Sequence, residues 1–194
     1  MFPRIILPQK FYENDPEIVA RNLLGKMLIR KLSTDFLEGI IVETEAYFGY
    51  NDPASRAYHG QKKFNKPMWG TPGIIFIYNV HRYWMLNVVA HKTGQIGAVL
   101  IRAIEPTKGI KTMNVNRPVK NISYLTNGPG KLTLALKIDK SLNNISIHSR
   151  ISELSIIANN LDFEVGCSHR IGVKEDLKRK LRFFIKGNTY VSKY

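Results

Sequence analysis

Phe36-Leu37-Glu38-Gly39-Ile40-Ile41-Val42-Glu43-Thr44-Glu45-Ala46-Tyr47 reads as a strand. Aliphatic side chains fill its first half, and Ser33-Thr34-Asp35 supply a turn just before it. Residues 27–32 carry the same pattern on the far side of that turn, so a hairpin is expected, and with it a sheet as the organising element. Alternation puts Glu43, Glu45 and Tyr47 on one face, with the carboxylates about 7 Å apart. Two carboxylates so placed can act as a base and its neighbour. Spacing alone fits a solvated acidic edge better. Tyr47 argues the other way, since a flat ring at a strand end, just before a long loop, is placed to stack on a base.

Working outward, Asp15 can cap a helix that begins at Pro16, with Ile18, Val19, Leu23 and Leu24 as its apolar stripe and Gly25 as its stop. Residues 49–73 hold too many Gly, Pro and Asn for a regular element, and a loop of that length in a compact domain is usually functional. Ile74-Ile75-Phe76-Ile77-Tyr78 and Tyr83-Trp84-Met85-Leu86-Asn87-Val88-Val89 form a second hairpin with its tip near residues 79–82. Another strand covers residues 97–104. A short helix is expected from Glu105-Pro106-Thr107 through Met113, and a second over residues 131–136 behind Gly128-Pro129-Gly130. Residues 145–194 read as strands, interrupted by a turn-rich break at Gly166-Cys167-Ser168-His169 and a basic stretch over 174–182. The expected architecture is α+β, one domain around a largely antiparallel sheet.

The 194-residue chain, 44% hydrophobic, suits one core. Its 29 Lys and Arg against 15 Asp and Glu give a formal net charge of +14, far more than solubility needs. Such charge favours a polyanion, above all a phosphate backbone. Apolar runs such as Ile74-Ile75-Phe76-Ile77 are too short to span a bilayer. The N-terminal Met1-Phe2-Pro3-Arg4-Ile5-Ile6-Leu7-Pro8 has no leader-like cleavage site, so a non-secreted, intracellular protein is expected. Cys167 is the only cysteine, which excludes an internal disulfide and a cysteine-based metal cage. No histidine pair has helical zinc spacing, and no metal or cofactor is expected.

Several further residues stand out. Tyr78 ends an apolar strand, where packing on the core is the commoner fate of an aromatic. Asn87 and Arg102 interrupt apolar runs and need partners if buried. Either can be structural glue, Arg102 pairing with Glu43 or Glu45, or a polar group lining a pocket. Gly128-Pro129-Gly130-Lys131 approaches a helix as a generic anion site would, without P-loop spacing. Lys62-Lys63 with Lys66, and Lys178-Arg179-Lys180 with Arg182, read as solvated faces, some of which meet a partner given the total charge.

Taken in order, Glu43-Thr44-Glu45-Ala46-Tyr47, Asp52-Pro53-Ala54-Ser55, Pro72-Gly73 with Tyr78, Leu86-Asn87, Arg102-Ala103-Ile104-Glu105-Pro106, Asn127-Gly128-Pro129-Gly130-Lys131-Leu132, Arg170-Ile171-Gly172-Val173 and Arg182-Phe183 with Lys186-Gly187-Asn188 resemble the alkyladenine (3-methyladenine) DNA glycosylases of base-excision repair. The resemblance covers nearly the whole chain and implies a single glycosylase domain over residues 1–194, with a curved sheet flanked by helices and a hairpin that enters the DNA minor groove. It implies a monomeric, monofunctional enzyme that flips damaged purines out of double-stranded DNA and hydrolyses the N-glycosidic bond with water. The lesions implied are 3-methyladenine, 7-methylguanine, hypoxanthine and ethenoadenine. Glu45 matches the general base and Arg102 the residue that helps hold the water; Tyr47 and Tyr78 match the rings that sandwich the base. Asn87 matches the amide that crowds the 2-amino group of normal guanine. Lys131, Gly130, Lys186 and Asn188 fall on expected backbone contacts.

Two departures stand against the family pattern. Arg56 occupies the place of a histidine, and His59 lies three residues on. An arginine there would repel a cationic base and hydrogen-bond a neutral one, so hypoxanthine is expected to be favoured over 7-methylguanine unless His59 takes the missing place. The hairpin is one residue shorter and lacks a tip tyrosine, which leaves Val80 as the intercalating wedge, with Asn79 or His81 as alternatives. A non-catalytic nucleic-acid-binding module on the same scaffold is the competing reading. A metal nuclease would want a carboxylate cluster that the scattered acids do not provide.

Overall fold

The computed structural model describes residues 4–192, so residues 1–3 of the N-terminal stretch lie outside the described residues. In chain order its first elements are α1 (Gln9–Tyr12), α2 (Pro16–Leu23), β1 (Met27–Lys31), β2 (Phe36–Phe48), β3 (Ile75–Val80), β4 (Tyr83–Val89) and β5 (Gly97–Lys108). α3 (Ile110–Asn116), α4 (Pro129–Ala135), β6 (Leu154–Ile157), β7 (Val165–Ser168) and β8 (Arg182–Ile185) come after them.

β2 is the axis. One edge pairs with β5; the other is shared, β1 taking its first half and β8 its second. The β3–β4 hairpin extends the sheet beyond β5, β6 beyond β1, and β7 beyond β8. Every pairing is antiparallel, and the sheet curls into a half-barrel with helices against it, an α+β fold. Leu23, Ile41, Ile101, Ile104, Leu132 and Phe183 belong to one buried core, which joins α2, α4 and the strands β2, β5 and β8.

The strand that anchors the sheet is not regular. Ile41 pairs with Ile104, Glu43 with Ala103 and Thr44 with Ile101, so Val42 and Arg102 both drop out of the ladder. A bulge of this kind reverses the parity of the strand residues beyond it. Before it, Leu37 and Ile41 point into the core; after it, Val42 and Ala46 do, and the Thr44 hydroxyl donates to Ala20 O of α2 at 2.8 Å. Glu43, Glu45 and Tyr47 are thereby turned to the opposite face.

The expected helix at Pro16 is present, and Asp15 accepts from the Glu17 amide at 2.8 Å. Its stripe is Val19, Ala20 and Leu23; Ile18 is on the water side, 42% exposed. Three expectations are corrected. Residues 105–108 continue β5 instead of starting a helix, because they pair with β2 and because Pro106 lies past the last β4 pairing, where an absent N–H breaks no ladder bond on that edge. α3 then starts after Gly109, whose φ of +74° turns the chain. Gly166 is not a turn but the second residue of β7. It pairs with Phe184, whose ring lies so close that a Cβ would meet it at 2.3 Å. Finally, β3 runs on through Val80, which narrows the tip to His81 and Arg82, with His81 at φ +54°.

Candidate active site

Glu43 and Glu45 are both fully buried and share Arg102, whose Nε donates to Glu43 Oε1 at 2.8 Å and whose Nη1 donates to Glu45 Oε2 at 3.2 Å. From there their surroundings diverge. Glu43 also accepts from Arg182 Nε at 2.7 Å, from the Ser192 amide at 2.8 Å and from the Ser192 hydroxyl at 2.7 Å. Three of these four donors converge on Oε1 and the Ser192 amide alone meets Oε2, so two guanidiniums and Ser192 close round the carboxylate. Glu45 accepts from the Ile171 amide at 2.8 Å and the Tyr47 hydroxyl at 2.8 Å besides Arg102, which leaves about one position open.

The electrostatics divide in the same way. Burial pushes Glu43 up, but Arg102 and Arg182 together outweigh it and hold the carboxyl below its ordinary value. Burial pushes Glu45 up as well, and Arg102, the Ile171 amide and the Tyr47 hydroxyl do not fully offset it, so Glu45 ends above its ordinary value. Burial and the neighbouring Glu45 charge drive the Tyr47 phenol well up, which keeps it a donor.

Each of the three donors to Glu45 belongs to the wall of a cleft of about 750 Å³, with the carboxylate one layer beneath. Tyr47, Arg56, His59, Tyr78, Val80 and Arg102 line this cleft, so six of the expected site residues are brought together. The Arg56 guanidinium lies 4.8 Å from the centre of the Tyr78 ring, and Phe76 backs that ring at 5.2 Å. His59 packs edge-on against Tyr58 at 4.8 Å. Asn87 is buried beneath this wall, and its amide nitrogen donates to Phe76 O and Met85 O at 3.2 and 3.1 Å.

The remaining expected residues lie apart from the cleft wall. His81 is exposed at the hairpin tip. Lys131 donates to Asn127 Oδ1 at 2.8 Å, and Gly130 packs under Tyr83, where a Cβ would come within 2.8 Å of the ring. Lys186 pairs with Glu164, and the Asn188 amide donates to Glu105 Oε2 at 2.7 Å.

Sequence reasoning assigned no role to Arg170. Its side chain is completely buried and donates to both oxygens of Asp52 at 2.6 and 2.7 Å, to Asp176 Oδ1 at 2.9 and 2.6 Å, and to Ala46 O at 2.9 Å. The guanidinium also covers the Tyr47 ring at 4.5 Å. Arg170 thus fixes the ring that faces the cleft and immediately precedes Ile171, whose amide holds Glu45. An arginine before Ile-Gly-Val and an aspartate before proline were visible, but nothing local joins positions 118 residues apart. Among the described residues, no three His, Cys, Asp or Glu side chains gather as a metal-ligating group, and no helix is long and apolar enough to cross a membrane.

The family model for methylpurine-DNA glycosylase matches residues 10–189. Similar proteins include one from Aeropyrum pernix, 41% identical over 97% of this chain and 93% of its own length, and one from Carboxydothermus hydrogenoformans, 39% identical over 97% of this chain and 100% of its own. A third, from Clostridium tetani, is 41% identical over 96% of this chain and 98% of its own. All three bear the name "Putative 3-methyladenine DNA glycosylase".

Proposed function

Since the chain belongs to the methylpurine-DNA glycosylase family, whose members are DNA-repair hydrolases, we propose that it excises damaged purines from duplex DNA with water activated by Glu45. What carries this reading is the unequal surroundings of the two carboxylates. Of the groups that hold Glu43 only Arg102 lines the cleft, whereas all three donors to Glu45 do. Among the described residues Glu45 Oε1 accepts only from the Ile171 amide, which leaves a position for a water molecule on a carboxylate whose proton affinity is raised by burial. The water oxygen attacks the anomeric carbon as the bond to the base nitrogen breaks. Glu45 takes the water's proton, the departing base keeps the bonding pair, and an abasic site remains. Developing positive charge on the sugar is opposed by the buried carboxylate.

The flipped base stacks between Tyr47 and Tyr78, with Arg102 orienting the water. Asn87 limits the depth of the pocket and so discriminates against the 2-amino group of guanine. The β3–β4 hairpin enters the minor groove, and Val80, assisted by His81, fills the gap in the stack. Lys131 and Gly130 contact the backbone, as do Lys186 and Asn188 once they exchange Glu164 and Glu105 for phosphate. The enzyme acts as a monomer, inside the cell, without a cofactor.

Arg56 beside Tyr78 supports a preference for neutral lesions, because a cationic purine would share the ring with a guanidinium. Duplexes carrying hypoxanthine, ethenoadenine, 3-methyladenine or 7-methylguanine, incubated in chelator and then treated with alkali, test the whole reading. Base release is expected from wild type and, about 10²–10⁴-fold slower, from Glu45→Gln, with hypoxanthine released faster than 7-methylguanine. DNA binding with no release of any base would instead mark a non-catalytic binding module. Strand breaks before alkali would mark lyase or nuclease chemistry.

A further inference from the structure

Alternation gives the β3–β4 hairpin two faces. Tyr78, Val80 and Met85 front the Glu45 cleft, while Ile77, Asn79 and Trp84 front a second cleft of about 750 Å³ on the other side. Lys62, Lys63 and Phe64 from the long loop, with Lys140 from a 3₁₀ turn, complete its wall, and no Asp or Glu lines it.

These groups are held in place, not trailing. Buried Asn65 accepts from the Lys62 amide at 2.6 Å and donates to Arg56 O and Gly60 O at 2.6 and 3.0 Å, fixing the turn that presents Lys62, Lys63 and Phe64. Asn143 accepts from the Ile77 amide at 2.8 Å and so ties the Lys140 turn to β3. Phe64 nonetheless stays 48% exposed, an aromatic kept in water in a wall that also carries three lysines. Rings flanked by cations on a fixed support are what a nucleotide strand uses, the bases on the rings and the phosphates on the lysines.

We propose that this second cleft binds single-stranded DNA, with phosphates on Lys62, Lys63 and Lys140 and a base against Phe64 and Trp84. The inference goes beyond the proposed excision, in which the duplex stays paired apart from the flipped nucleotide, and gives a separate unpaired strand a place on the hairpin's other face. Tyr78 lines both clefts, so one ring stands between the extracted nucleotide and the second cleft.

The chain has two tryptophans, which makes a direct test available. In a Trp69→Phe protein, titration with hexathymidylate is expected to quench Trp84 emission saturably. The companion Trp84→Phe protein, with Trp69 as its reporter, is expected to stay silent. Glu45→Gln in the Trp69→Phe background should quench normally. Adding Lys62→Gln, Lys63→Gln and Lys140→Gln should weaken binding at least about tenfold and flatten the slope of log affinity against log salt by about 2, three contacts at about 0.7 each. Quenching that ignores the lysine changes overturns the proposal. So does equal quenching by a short intact duplex or by polyglutamate. Base release measured alongside separates the two ideas: release without Trp84 quenching sinks the second cleft alone, and quenching without release sinks the excision reading alone.

Discussion

Glu43 and Glu45 stand two residues apart on one strand, equally buried and joined to the same arginine, yet they occupy opposite kinds of region. Glu43 sits in a clamp of two guanidiniums and Ser192, with four donors and the charged form favoured. Glu45 sits under a cleft, with fewer donors than lone pairs and the charged form disfavoured. Burial does not distinguish a structural carboxylate from a reactive one. The placement of the donors does, because a carboxylate whose donors all line a cavity is where a water molecule can be held and deprotonated.

The strongest way to break this contrast is to neutralise each acid in turn. Glu45→Gln is expected to slow single-turnover excision by about 10²–10⁴-fold, the range of a lost general base. Glu43→Gln leaves Arg102 and Arg182 underpaired in the interior and is expected to cost about 3–5 kcal/mol of stability, read by denaturant unfolding. If Glu43→Gln instead abolished excision in a fully folded protein, the division of labour would be wrong.

Proton linkage sharpens the same comparison. Glu43 is held below its ordinary value of 4.5, so its contribution to stability is full above pH 4.5 and is lost as pH falls through its folded value. Glu45 is held above 4.5, so folding binds a proton there and stability falls as pH rises between 4.5 and its folded value. Glu45→Gln is therefore expected to keep or gain stability at neutral pH, opposite in sign to Glu43→Gln. In kcat/KM, the acid limb belongs to Glu45 and should lie above pH 4.5. The smallest effect comes from Tyr47→Phe, which keeps the ring and removes one donor. It should cost about 1 kcal/mol, a few-fold in rate, and move that limb to higher pH, since the hydroxyl bond helps hold Glu45 down.

The strands that form hairpins were legible because apolar alternation and turn residues coincide at residues 27–48 and 74–89. β7 was not, since Gly166 reads as a turn until the Phe184 ring that needs its missing Cβ is in view. At the site, alternation correctly put Glu43, Glu45 and Tyr47 on one face, but it could not show which face. That depends on the bulge at Val42, a feature with no local signature. Nor could spacing separate the two acids, because their distinguishing partners, Arg182, Ser192 and Ile171, lie 139, 149 and 126 residues away. Long-range hydrogen bonds are the part of a fold that one sequence does not display.

The Ser192 contacts carry a consequence in time. The hairpin of β1 and β2 is local and can form early, whereas the clamp on Glu43 closes only when a segment 149 residues later arrives. Until then the strand carries both acids with Arg102 between them but without the Ser192 side of the clamp. Competence is thus a late event in folding, since Glu45 too waits for a distant partner, the Ile171 amide 126 residues on.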